Sequence, residues 1–196
     1  MKRLLKRAFS AVLIAVLRPA GSALDGIVRL WAFARLAARL KSPVHPSVVV
    51  LGTPEVQGSA NITLGRDLML YRELYLETQS QGRIQIGDGV VISRGTHIVS
   101  FCSVTIGAGT MIGEYASIRD ANHAYGNQSI RNSGHTGAPI TIGRNAWIGR
   151  GAAILAGVSI GENAVVGANA VVTHNLAANT VVAGVPAREI QRKVVA

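Results

Sequence analysis

A histidine with a carboxylate close by in sequence lies in the segment RDANHAYGN, residues 119–127. An unperturbed imidazole titrates near ~6.5, so His123 can accept a proton at neutral pH. A side chain of this kind can act as a general base toward a hydroxyl group. Asp120 is near enough to orient His123, and it could equally cap a turn. Asn122 could work beside them, or it could plug a tight corner with its amide bonded to the backbone.

This segment interrupts a repeat in which an aliphatic residue returns every six positions. The uninterrupted series is Ile142, Ile148, Ile154, Ile160, Val166 and Val172. A second column of mostly small residues follows each aliphatic residue by four positions, and Cys102 falls in it, which predicts a buried structural thiol. A six-residue step fits neither an α-helix nor a long alternating strand. It predicts short strands joined by sharp corners, three to a coil, with the coils stacked into a parallel β-helix.

The phase of the repeat predicts where the coils begin and where the chain leaves them. Coils are expected to begin near Leu64, Ile86, Ile106, Ile142 and Ile160. A polar, glycine-rich loop, residues 124–141, follows the coil that ends at Ile118. A long loop inside a regular solenoid usually has a task. We expect it to leave the third face of one coil and to rejoin on the first face of the next, with His123 at its root.

The repeat resembles that of the hexapeptide-repeat acyltransferases, whose members form a left-handed parallel β-helix, and the resemblance covers about residues 44–190. Within that family, galactoside and maltose O-acetyltransferases carry a catalytic histidine at the start of a protruding loop. Their loop returns into a PITIG..VWIG motif, and here the return reads PITIGRNAWIG at residues 139–149. The resemblance implies that His123 is the general base in acyl transfer from a thioester to a hydroxyl.

The C-terminal half, which includes GVPAR at residues 184–188, is also similar to these O-acetyltransferases. In the family, acetyl-CoA lies in a groove between neighbouring subunits. Ala168 and Thr173 match positions that contact the cofactor, and Arg188 matches a basic residue that reaches its phosphates, a role that suits a guanidinium. Arg150 and His174 stand where the family has a serine and a lysine. The resemblance implies an acetyl-CoA donor and a homotrimer, because a monomer would leave the groove half-built.

Three further side chains are candidates for contact with the acceptor. Ser93 could donate a hydrogen bond to it or could form a turn. Phe101 stands where the galactoside enzyme has a sugar-binding carboxylate, so a simple galactoside is not expected; its ring could stack on a sugar or cover the solenoid wall. Trp147 could line the pocket or pack between subunits. We expect the acceptor to be a sugar hydroxyl of a surface-polysaccharide or exopolysaccharide precursor, with N-acetylation of an amino sugar or a non-catalytic scaffold as the alternatives.

Zinc chemistry, as in the gamma-type carbonic anhydrases, is a rival function on the same fold. It needs three converging histidines and an open coordination position. The chain has five histidines, at His45, His97, His123, His135 and His174. The tight paired spacing of such sites is missing from the sequence, so no metal is expected. The spacing of His135 does not match the catalytic position either.

The first 43 residues lack the repeat and combine basic with apolar side chains. The apolar run at residues 8–17 is too short to span a bilayer and is interrupted by Arg18 and Pro19. From Ile27 to Leu40, arginines alternate with Leu, Trp and Phe, as in helices that lie on anionic membranes. The alternative is a helical cap or a subunit contact that covers the end of the solenoid.

Composition limits the partners and the compartment. The net charge of +10 attracts anions, but no nucleic-acid reader motif accompanies it. The single cysteine cannot form an internal disulfide, so nothing requires an oxidising compartment. We expect a cytoplasmic protein, peripheral at the inner face of the cell membrane, with residues 191–196 as a C-terminal tail.

Overall fold

The computed structural model describes residues 2–125 and 129–190, and the expected tail at residues 191–196 lies outside them. The described chain begins with one long helix, α1 (Lys2–Arg39), which runs on through Pro19. Proline has no backbone N–H and removes one helical hydrogen bond, and here that loss does not end the helix. Short strands joined by turns follow in the remaining described residues.

The strands form three mainly parallel sheets, which are the three faces of a triangular solenoid. The first face holds β3 (Ile62–Leu64), β6 (Arg83–Ile86), β9 (Ser103–Ile106), β14 (Ile140–Ile142) and β17 (Ser159–Ile160). The second face holds β1 (Val49–Val50), β4 (Met69–Leu70), β7 (Val91–Ile92), β10 (Met111–Ile112), β15 (Trp147–Ile148), β18 (Val165–Val166) and β20 (Val181–Ala183). The third face holds β2 (Glu55–Gly58), β5 (Tyr75–Thr78), β8 (His97–Ser100), β11 (Ser117–Arg119), β16 (Ala153–Ile154) and β19 (Val171–Val172).

The predicted stacking of coils is confirmed by the strand register. Ile142 pairs with Ile106 of the coil before it and with Ile160 of the coil after it. The coils therefore stack in register across the long insertion, which separates Ile106 from Ile142 in sequence. The chain turns between faces at three rows of corners. Two of them matter for the site: the second-to-third corner, between the second and third faces, and the third-to-first corner.

The aliphatic and small columns both point inward, as the repeat predicts. Ile148 and Ile154 are buried in the core, and Ala152 fills the corner between their strands. Asparagines at other corners, among them Asn145 and Asn163, adopt left-handed backbone conformations with φ of 53° and 57°. The prediction that Cys102 is buried is wrong: its side chain is half-buried, because it lies at the corner where the inserted segment leaves the coil.

Both ends of the solenoid are covered. The last turns of α1 lie on the first coil, where Ala32, Leu36 and Leu40 are buried and Arg39 Nη2 donates a 2.9 Å hydrogen bond to the Val56 carbonyl. At the other end, β21 (Arg188–Glu189) folds back antiparallel onto β20. Across residues 2–125 and 129–190, no helix is both long enough and apolar enough to cross a membrane.

The inserted segment is a hairpin rather than a structureless loop. The chain leaves the third face after β11 and forms two antiparallel strands, β12 (Ala121–His123) and β13 (His135–Gly137). It rejoins the solenoid on the first face at β14, as expected. The excursion therefore begins earlier and ends slightly earlier than the predicted loop, residues 124–141, because ladder hydrogen bonds replace the expected irregular backbone.

Candidate active site

A buried carboxylate fixes the point where the hairpin leaves the solenoid. Asp120 is fully buried and accepts three hydrogen bonds from the corner of the preceding coil. The donors are the Ser100 hydroxyl at 2.8 Å, the Phe101 backbone N–H at 2.7 Å and the Cys102 backbone N–H at 2.9 Å. These bonds compensate the cost of burying a polar group. The prediction that Asp120 orients His123 directly is therefore wrong, and its alternative, a turn-capping role, matches the geometry.

The hairpin register brings two histidines together. His123 in β12 lies directly opposite His135 in β13, and their ring centroids are 4.4 Å apart at an interplanar angle of 37°. On its other side His135 lies 4.4 Å from the ring of Phe101, at 33°. Phe101, His135 and His123 thus form a row of three rings that leads from the solenoid wall outward. Phe101 lies against His135, which neither of the two predictions for its ring anticipated.

The two predicted polar residues of β12 are exposed. His123 lies at the outer end of the ring row, where its imidazole is open to solvent. Asn122 is exposed too, so the prediction that its amide plugs a corner is wrong: the chain has already left the coil at Asp120, and the six-residue column no longer applies. Among the described residues no group of three His, Cys, Asp or Glu side chains is arranged to hold a metal ion.

The thiol nearest the hairpin is not activated. Burial raises the pKa of the Cys102 thiol, and the negative charge of Asp120 raises it further. A thiol with a raised pKa is largely protonated at neutral pH and is a poor nucleophile. Cys102 therefore cannot readily supply a covalent step next to the histidine pair.

A hydrogen-bonded carboxylate on the third face was missed by sequence reasoning. Glu77 accepts hydrogen bonds from the Tyr75 hydroxyl at 2.7 Å and from Gln79 Nε2 at 2.8 Å. The Tyr75 hydrogen bond lowers the pKa of Glu77 most, burial opposes it, and Gln79 and the charges of Arg119 and His135 lower it further. The same hydrogen bond raises the pKa of Tyr75 to about 12. The repeat gives no signal for this cluster, because its members occupy the outward positions of the strands.

The second-to-third corner carries an open cavity of about 560 Å³. Its lining includes Ser93, Arg94, Tyr115 and Arg150. The Arg94 guanidinium donates to the Tyr115 hydroxyl, and Arg150 lies 5.9 Å from the centre of the same ring. Tyr115 has a φ of 57°, and its ring lies where a side chain on Gly95 would otherwise be. A predicted acceptor residue, Ser93, and a predicted cofactor residue, Arg150, therefore share one cavity.

The remaining predicted cofactor residues are divided between corners. Ala168 is exposed at the second-to-third corner, one coil beyond Arg150. The backbone N–H of Asn169, which follows Ala168, donates a 2.8 Å hydrogen bond to the Arg150 carbonyl. Thr173 and His174 are exposed at the third-to-first corner, with 3.4 Å between the Thr173 hydroxyl and His174 Nδ1. Arg188 is exposed on β21. A single chain therefore does not gather these side chains at one place.

Trp147 lies on a different face from the returning strand. It is exposed on the second face, where it pairs with Met111 and Val165, whereas the hairpin returns to the first face. One corner separates β14, to which the hairpin returns, from β15, which carries Trp147. Its ring is available instead to whatever covers the second face.

Known proteins share both the repeat and the wider sequence. Residues 139–174 match the bacterial transferase hexapeptide family (six repeats). The WbbJ protein of Escherichia coli strain K12, named for O-acetyl transfer in lipopolysaccharide biosynthesis, is 34% identical over 150 residues, which cover 70% of this chain and 74% of that protein. A Dictyostelium discoideum protein named as an acetyltransferase is 41% identical over 123 residues, which cover 62% of this chain and 64% of that protein, a little under two thirds of its length.

The fold recurs in a solved acyltransferase. AntD, an N-acyltransferase from Bacillus cereus in complex with dTDP and 3-hydroxybutyryl-CoA, superimposes with a TM-score of 0.64 at 19% identity, covering 78% of this chain and 85% of that one. The repeat match and the WbbJ similarity show that the chain belongs to the hexapeptide-repeat transferase family. The solenoid is the left-handed parallel β-helix of that family.

Proposed function

We propose that the protein is an acetyl-CoA-dependent O-acetyltransferase that acts on a sugar hydroxyl of a surface-polysaccharide or exopolysaccharide precursor. The observation that carries the proposal is the exposed imidazole of His123, held at the outer end of the ring row in a hairpin that a buried carboxylate fastens to the solenoid. The similarity to WbbJ, which is named for O-acetyl transfer in lipopolysaccharide biosynthesis, supports this class of acceptor.

In the proposed mechanism His123 is the general base. Its imidazole takes the proton of the acceptor hydroxyl while that oxygen attacks the thioester carbonyl, and the C–S bond to coenzyme A then breaks as the ester forms. The imidazolium returns its proton to the departing thiolate. No acyl-enzyme is proposed, because the raised pKa of Cys102 keeps this thiol protonated at neutral pH.

The distribution of the candidate residues favours a site built between subunits. His123 and Thr173 lie at the third-to-first corner, and Arg150 and Ala168 at the second-to-third corner of the same solenoid. A groove between two neighbouring solenoids can take one wall from each corner. We place the pantetheine and phosphates of acetyl-CoA in such a groove, with Arg150 and Arg188 as the cations for the phosphates.

The outer surface of the second face supports self-association. A continuous ladder of outward side chains crosses the sheet, and every one of them is apolar: Val49, Met69, Val91, Met111, Trp147, Val165 and Val181. The outward residues of the first face, such as Thr105 and Thr141, are polar. An apolar stripe of this kind marks an interaction surface. We propose that it packs against further copies of the chain in a homotrimer.

Light scattering tests the assembly. The mass of three chains is expected for the wild type, and Met111→Glu should lower it by placing a charge in the apolar stripe. Gln85→Glu, on the exposed first face, should leave the mass unchanged. A single-chain mass for active wild-type protein would refute self-association, and a two-chain mass would refute the trimer.

We propose that α1 holds the protein at an anionic membrane surface. The helix carries eight lysines and arginines against one aspartate. Ile27 is 64% exposed and Leu36 is 1% exposed, and at 3.6 residues per turn these two project from opposite sides of the helix. Phe9, at 70%, and Leu30, at 69%, are also exposed. Positive charges beside the apolar side repel those of a second copy and so disfavour helix bundling. The same arrangement suits anionic lipid, because the lysines and arginines can contact the headgroups.

Replacement of His123 is the experiment that tests the catalytic proposal. His123→Ala should lower turnover on the acceptor by ~10²–10⁴-fold, the usual cost of losing a general base. Acetyl-CoA binding, measured by calorimetry, should be nearly unchanged, since the proposed cations for its phosphates are Arg150 and Arg188. His45→Ala is the matched control, because His45 is bonded to Ser47 at the far end of the solenoid.

The acceptor is found by following release of free coenzyme A thiol with panels of sugars and amino sugars. Thiol release with hydroxyl acceptors supports O-acetylation. Thiol release with amines alone contradicts O-acetylation and supports N-acetylation. Transfer that survives His123→Ala contradicts the general base. Failure of every acceptor, together with failure to bind acetyl-CoA, would leave a non-catalytic scaffold.

A further inference from the structure

The ring row gives His135 a place that its sequence spacing did not indicate. Its imidazole lies between two others, 4.4 Å from the His123 ring and 4.4 Å from the Phe101 ring. In the described residues no side-chain hydrogen bond holds the His123 ring. Cross-strand neighbours on one face of a two-stranded sheet pack directly on each other. The ring of His123 in this structure is therefore held by its tilted contact with the His135 ring.

The inner end of the row is fixed to the solenoid. The Phe101 backbone N–H donates a 2.7 Å hydrogen bond to Asp120, and Asp120 is itself buried and bonded to Ser100 and Cys102. The backbone of Phe101 cannot shift at the corner without breaking these hydrogen bonds. Phe101 is half-buried and presents its ring outward to His135. The carboxylate thus acts on His123 at a distance, through the corner and two rings.

The hairpin also lies unusually close to this corner. A side chain on Gly137 would come within 2.8 Å of both the Asp120 carbonyl oxygen and Cys102 Sγ. Ala138 N–H donates a 2.9 Å hydrogen bond to the same carbonyl. The missing side chain lets β13 rest directly on the coil, and this contact sets the height of His135 above Phe101. Glycine is needed here for close approach rather than for backbone freedom.

We propose that His135 is a positioning residue, which holds the imidazole of His123 in its working orientation through the ring row that Phe101 and Asp120 anchor. The proposal rests on the proposed function, in which His123 is the general base. A base must lie within hydrogen-bond reach of the proton that it takes. A displacement of about 1 Å can cost on the order of 10²-fold in rate. Contact between rings therefore replaces the carboxylate partner that orients histidine in a triad.

Two substitutions separate packing from proton transfer. His135→Ala removes the middle ring, and His135→Phe keeps a ring of similar shape without ionisable nitrogens. We expect His135→Ala to lower kcat by roughly 10- to 100-fold with the KM for acetyl-CoA unchanged. His135→Phe should recover kcat to within about threefold of the wild type, because an aromatic pair keeps its stacking geometry. Thermal melting of each variant establishes that it is folded.

A second measurement needs neither acceptor nor turnover. The ring protons of His123 in the folded protein, followed by NMR, carry the ring-current effect of His135. These resonances should move in His135→Ala and return toward their wild-type positions in His135→Phe. His97→Ala is the control, because His97 stacks on Tyr75 at 5.0 Å, away from the row. It should leave the His123 resonances in place.

The possible outcomes distinguish this proposal from the proposed function. Wild-type kcat in folded His135→Ala, or unmoved His123 resonances, overturns the positioning role. If His135→Phe is folded and as slow as His135→Ala, the imidazole of His135 itself takes part in proton transfer, and the positioning role is wrong. If the resonances move as expected but His123→Ala keeps full activity, the stack is real and the general-base mechanism is wrong.

Discussion

Two parts of the chain project from the solenoid, the hairpin at residues 120–139 and the helix α1, and they are built in opposite ways. The hairpin is fastened at its root by a buried carboxylate with three hydrogen bonds, and Gly137 lets β13 lie close against the corner. Its histidines are held ring against ring. The hairpin presents the imidazole of His123 from a fastened strand, so it suits a partner that must meet one imidazole at a defined place.

In the part of α1 whose side chains the structure describes, the buried contacts lie in the last turns. Ala32 and Leu36 pack on the first coil, while Phe9, Ile27 and Leu30 remain exposed. Its exposed side is apolar and basic. Such a surface suits a partner that deforms to fit it. The difference indicates that the hairpin serves catalysis and the helix serves attachment. Substitutions at the two anchors test this division.

The helix anchor should give the largest change in stability. Leu36→Ala should lower the free energy of unfolding by about 2–5 kcal/mol, because a buried leucine leaves a cavity on the first coil. Leu30→Ala is the matched control on the same helix, and its change should stay within about 0.5 kcal/mol, because Leu30 is 69% exposed. Urea denaturation measures both. Equal losses would mean that α1 is held along its whole length and that the division described above is wrong.

The hairpin anchor should follow, with a loss that also reaches the site. Asp120→Asn keeps the shape of the side chain but turns one acceptor into a donor that faces other donors. We expect a loss of about 2–3 kcal/mol, since buried donors are left unsatisfied. Asp88→Asn is the control, because Asp88 is exposed and accepts a single 2.7 Å bond from the Arg66 backbone. A stable Asp120→Asn protein with wild-type His123 resonances would contradict the anchoring role.

The two projecting parts also differ in how far the sequence predicts them. The six-residue step predicts the faces, the coil register and even the corners where the hairpin leaves and returns, because each inward residue repeats the same local geometry. It does not predict the ring row, since His123 and His135 meet through a cross-strand pairing that the aperiodic segment does not encode. Asp120 illustrates the limit: its proximity to His123 in sequence suggested contact, and its burial directs it to the preceding coil instead.

The sequence predicts that the N-terminal segment is basic and amphipathic, but it does not predict which side of the helix packs on the solenoid. Membrane contact and capping were alternatives, and α1 caps with one side while it exposes the other. The cavity around Tyr115 gave no sequence signal beyond Ser93 and Arg150, because neither the repeat nor the family pattern singles out Tyr115 or Arg94. Side chains on outward positions depend on neighbours one coil away, which are about twenty residues distant in sequence.

Membrane binding should change with the helix and be insensitive to the hairpin. Phe9→Glu should weaken binding to vesicles that contain anionic lipid by at least about tenfold, because burying a phenylalanine contributes roughly 1.5–3 kcal/mol. Co-sedimentation at low salt measures the partition, with vesicles of zwitterionic lipid as the reference. Tyr125→Glu is the control, because Tyr125 is 90% exposed but lies on the hairpin. If wild-type protein does not sediment with anionic vesicles, the membrane role of α1 is wrong and α1 serves only as a cap.

The smallest expected effect lies beside the hairpin, where the pH dependence of stability reports on Glu77. The Tyr75 hydrogen bond lowers the pKa of Glu77 from 4.5, so the carboxylate contributes stability that is fully present above about pH 4.5 and is lost as the pH falls through the folded-state pKa. Glu77→Gln should therefore lower Tm by about one to two degrees at pH 7, and the two proteins should converge in Tm on acidification.

Calorimetric scans from pH 7 to pH 3 measure this difference. Glu73→Gln is the control for removal of one negative charge, because it breaks an exposed pair with Arg94 at the second-to-third corner. A Tm difference that stays constant down to pH 3 would show that Glu77 acts through packing alone. If the difference instead shrinks with pH while His123 keeps its ring resonances, the third-face carboxylate stabilises the wall on which the hairpin rests, and the ring row holds the histidine independently of it.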